Sequence, residues 1–198
     1  AWFAGEMLDR PPVRFIAPNA FLDSGADLAG LTAVERRARW LDAEYQIDRF
    51  LSSIAGRTFY GETFPVYWPN LGPSWSTPVV HDWDDPDRLS FSVDNPYYQK
   101  LEELTRHALE RCAGQFLVGY TDLHPGLDCA AAWRDPQQLC IDMIDAPEQV
   151  SRLAERSIAD FEAIYDHFDA QLKAAGQLSV SWMGIPAFGR MHIPSCDF

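Results

Sequence analysis

The sequence predicts an α/β fold of the (β/α)8 TIM-barrel type, present as its N-terminal half, on three observations. Short apolar runs alternate with long amphipathic stretches, the pattern of βαβ units and a parallel sheet. No glycine-rich phosphate loop follows any of these runs, which argues against a nucleotide-binding doubly wound sheet. Only about four strand-helix units fit into the chain, whereas a complete eightfold barrel takes ~250 residues. The chain has 198 residues, starts without Met and stops at Phe198 directly after an apolar run, so a single domain that is part of a larger protein is expected over 1–198.

The elements follow in order. Residues 2–9 read as the end of a helix, and VRFIAP at 13–18, between Pro12 and Pro18, reads as a short strand. After the polar loop LDSGADLAG, Thr32 and Glu35 form a capping box. The helix they start carries an apolar face through Trp40, Ile47, Phe50, Leu51 and Ile54 and stops at Gly56. TFPVYWPNLG at 63–72 is the second strand, ending in the corner Tyr67, Trp68, Pro69, Asn70. A Trp- and Pro-punctuated segment follows, with a short strand at Pro78–His81.

Asn95 and Pro96 open a helix that Ala113 and Gly114 close, and QFLVGYTD at 115–122 is the third core strand. A helix beginning near Pro125 continues through PQQLCIDMID. Asp145, three residues before Glu148, then caps a long helix bearing Val150, Leu153, Phe161, Tyr165, Phe168 and Leu172, which Gly176 ends. QLSVSWMGI and RMHIPSCDF are the last strands, joined through Pro186 to Gly189.

Lys plus Arg total 16 against 29 Asp plus Glu, a net charge of -13 that repels polyphosphate backbones and anionic membrane surfaces. No nucleic-acid or membrane partner is expected, and no stretch approaches the ~18 apolar residues of a membrane span. AWFAGEMLDRPP lacks a basic segment followed by a continuous apolar one, so the cytoplasm is the expected location. Cys112, Cys129, Cys140 and Cys196 show no CxxC spacing and read as buried free thiols. His192 and Cys196 resemble a ligand pair, but on a strand they lie about 13 Å apart, too far for one tetrahedral ion without a bend at Pro194.

Barrel enzymes place chemistry at the C-terminal ends of strands. That rule selects Trp68 and Asn70, Asp122 and His124, Trp182, and Asp197 beside Cys196. Asp122 and His124, two apart on an extended segment, face one side about 6.6 Å from each other and can cooperate through substrate or water. The structural alternative is that either of them caps the helix Pro125 begins. Asp128 falls in the first turn of that helix, where a carboxylate complements the dipole, and Asp142 and Asp145 read as surface and cap residues. Asp197 is preferred to Cys196, because a thiol is at home in a core and an aspartate is not. Trp68, Asn70 and Trp182 are the substrate-binding candidates; Asp122, His124 and Asp197 are the catalytic ones.

The stretch YTDLHPGLDCAAAWRDPQQLCIDMIDAPEQV resembles the uroporphyrinogen decarboxylase superfamily, in particular its methyltransferase-like bacterial members. The shared shape is a strand, a Gly- and Pro-containing corner, a short helix, then DxIDxPE opening a long helix. More loosely the likeness extends from EMLDRPPVRFIAP through WPNLG and HDWDDP to GRMHIPSCDF. It implies the N-terminal portion of a (β/α)8 barrel and a tendency to pair as a homodimer. True porphyrinogen decarboxylases carry an arginine-rich signature resembling RQAGR, and here that region offers only Arg10 and Arg14, too few cations for a macrocycle with many carboxylates. The methyltransferase members imply methyl transfer from a small methylated substrate to a corrinoid or thiol, a corrinoid protein as partner, and a zinc whose ligands are expected beyond Phe198. The alternatives are a decarboxylase-type lyase, a carbohydrate-active barrel with paired carboxylates, and a non-catalytic binding protein.

Overall fold

The computed structural model describes residues 13–18, 30–71, 80–83, 86–121 and 123–193, with the backbone alone for 14–18. The helix expected at 2–9 and residues 78–79 of the short strand expected at Pro78–His81 lie outside them; Val80 and His81 are not in a strand.

Strand β1 (Arg14–Pro18) pairs with β2 (Arg57–Gly61), and the pairing is antiparallel, so this first unit is not the parallel βαβ that strand-helix-strand order suggests. Two helices lie between them. In α1 (Ala33–Trp40) the expected capping box is complete: Glu35 N–H donates to Thr32 Oγ1, and Thr32 N–H donates to Glu35 Oε2 at 2.8 Å. The single helix expected to run on to residue 55 stops at Trp40, because Asp42 starts α2 (Ala43–Ala55) by accepting from the Tyr45 N–H at 3.1 Å.

β3 (Val66–Tyr67), α3 (Pro96–Cys112) and β4 (Leu117–Val118) form a βαβ unit whose strands pair in parallel. Asn95 Oδ1 caps α3 by accepting from the Tyr97 and Tyr98 N–H groups, and Ala113 ends it in the left-handed region at φ 41°. Both strands are much shorter than the apolar runs around them. Pro65 and Pro69 bracket β3, and a residue without an N–H cannot continue a ladder.

The helix expected from Pro125 through Asp145 is two helices, α4 (Leu127–Arg134) and α5 (Pro136–Asp145). Asp135, at φ 86°, separates them and caps α5 through the Gln137 and Gln138 N–H groups. Asp145 is the last residue of α5 and caps nothing; Ala146 holds the cap position of α6 (Pro147–Ala159), with Pro147 at its start. Asp160 interrupts the long helix once more before α7 (Phe161–Ala174). Asp142 is not a surface residue: it is 5% exposed and accepts from Arg134 Nε at 2.6 Å and Gln138 Nε2 at 3.0 Å. β5 (Ser179–Val180) turns at Ser181–Gly184 and pairs antiparallel with β6 (Pro186–Ala187), so the expected joining loop begins as a strand and residues 191–193 are irregular.

Two larger apolar centres hold these elements, beside a small one of Ala43, Leu71 and Leu104. One packs α2, α3 and α7 on the β3–β4 pair through Ile47, Tyr98, Phe116, Val118, Phe168 and Leu172. The other joins α4, α5 and α6 through Ala130, Leu139, Val150 and Leu153, with Val80 inserted. No described helix is long and apolar enough to cross a membrane.

Candidate functional site

The parallel ladder runs Leu117 N–H to Pro65 O and Gly119 N–H to Tyr67 O, then stops. Both chains leave it in the same direction, Trp68 and Asn70 from β3, Tyr120 and Thr121 from β4. Between them the indole of Trp68 packs against Gly119: a Cβ there would come within 2.4 Å of Trp68 Cδ1 and 2.5 Å of Nε1. Glycine is therefore required for this close approach. The Trp68 N–H is buried with no acceptor among the described residues.

These residues open a cavity of about 260 Å3, lined by Trp68, Asn70, Tyr120, Thr121, Leu123, His124, Trp182 and His192. Four residues selected from sequence by strand-end position, Trp68, Asn70, His124 and Trp182, come together there. Asp122 and Asp197 lie outside the described residues, as does Cys196. The strand-end rule did not select Tyr120, Thr121, Leu123 or His192, which complete the wall.

His124 does not cap α4. The cap position is Gly126, at φ 86°, with no side-chain cap; its N–H donates to Ser157 Oγ at 2.7 Å and its carbonyl accepts from the same hydroxyl at 3.1 Å. Ser157, on α6, thus takes over the satisfaction of the helix start, and the imidazole is left at the cavity wall. Asp128 sits in the first turn of α4 as expected, and its Oδ2 is 3.8 Å from His124 Nδ1, too long for a hydrogen bond. Leu123 and His124 also line a second cavity of about 300 Å3 under α6, together with Cys129 and Trp133.

The opposite wall is built by long-range hydrogen bonds. The Tyr120 hydroxyl donates to the Met191 carbonyl, as does Tyr165 at 2.9 Å, while Met191 N–H donates to the Tyr165 oxygen at 2.8 Å. Met191 thereby holds His192 among aromatic rings, with centroids 4.9 Å from Phe161, 5.7 Å from Tyr120 and 5.9 Å from Tyr165. Burial, then the neighbouring Tyr165 and the Asp169 carboxylate, push the Tyr120 hydroxyl far above the ordinary phenol range, so it stays a donor at neutral pH. Asp169 is itself buried and accepts from the Ser179 hydroxyl at 2.5 Å. Trp182 is half exposed and pinned by its indole N–H to the Ile193 carbonyl at 2.9 Å.

Among the described residues no three His, Cys, Asp or Glu side chains gather to hold a metal ion. His124 and His192 bring two imidazoles to the cavity, and a catalytic zinc takes three protein donors. The described side chains do not fit zinc by themselves; what they offer is binding and proton transfer. No family model, no curated protein and no solved structure matches the chain.

Proposed function

We propose that this chain carries the substrate site of an enzyme that takes a methyl group from a small methylated compound to a thiol or corrinoid acceptor. The observation that carries the reading is the meeting of Trp68, Asn70, His124 and Trp182 in one cavity, beyond the C-terminal ends of the parallel pair β3 and β4 and beside the β5–β6 turn. That is where parallel α/β enzymes place their chemistry. The parallel β3–β4 pairing is the kind a (β/α)8 barrel represented by its N-terminal half would contain; a homodimer and a corrinoid-protein partner belong to the same proposal.

Each residue has a task in such a reaction. A cavity below the ~300 to 1,000 Å3 of drug-sized ligands suits a small donor rather than a macrocycle. The indoles of Trp68 and Trp182 and the ring of Tyr120 hold its apolar part, and the Asn70 amide can fix its polar end. When a thiolate attacks the methyl carbon, sulfur gains that carbon and the leaving heteroatom keeps the bonding electron pair. The thiol proton must first be removed and the leaving atom must afterwards be protonated. His124 and His192 are the described cavity groups whose imidazoles can accept and donate a proton.

A decarboxylase-type lyase or an anionic-substrate enzyme needs a cation for the substrate carboxylate, and none of the described lining residues is Lys or Arg. A glycosidase needs two carboxyl groups, and none is among those residues. The test incubates the intact protein, supplied with zinc, with methylated amines, ethers and thioethers, and with a thiol or a corrinoid as acceptor. Methylated acceptor is expected, falling about 100-fold or more in His124→Ala or His192→Ala. Failure to demethylate any donor overturns the reading.

A further inference from the structure

The wall of the cavity combines three large aromatic rings with, among the described residues, neither Lys nor Arg. Trp68, Tyr120 and Trp182 present indole and phenol surface. Arg190 lies 5.5 Å from the centroid of Tyr165, outside the cavity, and is held by Asp166 at 2.5 Å. An anion entering this space would find no Lys or Arg among the described lining residues, only the imidazoles of His124 and His192. A cation would meet three aromatic rings, whose faces carry negative charge.

The type of cation follows from desolvation. A primary ammonium is strongly hydrated and needs several acceptors to replace its water, whereas a methylated ammonium spreads its charge over methyl groups and loses less on entering an aromatic site.

We propose that the cavity binds a small methylated ammonium compound, its charge set against the faces of Trp68, Tyr120 and Trp182. This rests on the reading of the cavity as the methyl-donor site and names the class of donor. Such a donor also suits the chemistry: attack by a thiolate breaks the C–N bond, its electron pair stays on nitrogen, and a neutral amine leaves.

The experiment is calorimetric titration of the intact protein with choline, with its uncharged isostere 3,3-dimethyl-1-butanol, and with acetate and phosphate. Choline is expected to bind about tenfold or more tightly than the isostere. Trp182→Leu, a half-exposed position the fold tolerates, is expected to remove that preference, and Trp182→Phe to keep most of it. Equal binding of the uncharged isostere, tighter binding of acetate or phosphate, or no binding of choline overturns the inference. Choline binding with no demethylation of any donor leaves this inference standing and overturns methyl transfer. Demethylation of an uncharged ether without choline binding does the reverse.

Discussion

Replacing Arg134 by alanine removes four interactions in one step. Its Nε donates to Asp142 at 2.6 Å, its Nη1 donates to the carbonyls of Val80 at 3.0 Å and His81 at 2.5 Å, and its guanidinium lies 4.7 Å from the centroid of Trp83. The ion pair is covered, with side chains 11% and 8% exposed, so the carboxylate left behind has little access to water. Removing one partner of a buried pair costs about 3–5 kcal/mol. Gln138 still donates to the other oxygen of Asp142, which places the loss near the lower end, about 3 kcal/mol. With a urea dependence of ~2 kcal/mol per molar, the unfolding midpoint falls by roughly 1.5 M. The pH dependence has a definite sign. The Arg134 hydrogen bond, more than offsetting desolvation and helped by Gln138, holds the Asp142 carboxyl below its ordinary range. A depressed folded pKa gives stability that is present above the unfolded value, about 3.9, and lost as pH falls through the folded one. The gap between wild type and variant is therefore widest near neutrality and closes on acidification. A midpoint shift under roughly 0.5 M at pH 7, or one that does not shrink in acid, refutes this account.

Gly119→Ala forces a methyl group against the Trp68 ring, at 2.4 Å from Cδ1. The expected result is a cost of about 1–3 kcal/mol and a shift in tryptophan emission, with unchanged emission and stability as the contrary outcome. Burial pushes the half-buried Cys129 thiol up to about 12, so almost none is thiolate at pH 8, whereas Cys140 is exposed rather than buried as the sequence suggested. Peptide mapping after labelling of the native protein is expected to find Cys140 modified and Cys129 modified only after denaturation; rapid native labelling of Cys129 refutes the burial argument.

Several helix starts and stops were legible from the side chains that mark them, although Asp145, expected to cap α6, does not. Thr32 with Glu35, Asn95 with Pro96, and Ala113 with Gly114 all act as the sequence says. What amphipathic periodicity cannot show is a break between two helices packed on the same core, because the apolar face resumes after one or two residues. Asp42, Asp135 and Asp160 make such breaks. At Asp135 a signal was present, since Pro136 disfavours helix in the residue before it. At Asp160 no cap hydrogen bond or proline marks the place. Strand length was the least legible quantity: an apolar run shows that a segment is covered, and the ladder depends on which N–H groups find a partner.

The site divides along the same line. Strand-end position is local information, and it found Trp68, Asn70, His124 and Trp182. Tyr120 and Thr121 were missed because 115–122 reads as one strand, whereas β4 ends at Val118 and both residues already lie beyond it. His192 was missed for a different reason. Its place depends on two hydroxyls converging on Met191 from 71 and 26 residues away, a relation no local pattern encodes. The same relation gives Tyr165 a role at a cavity it does not line: a change in its hydroxyl moves the Met191 backbone, and through it the imidazole of His192.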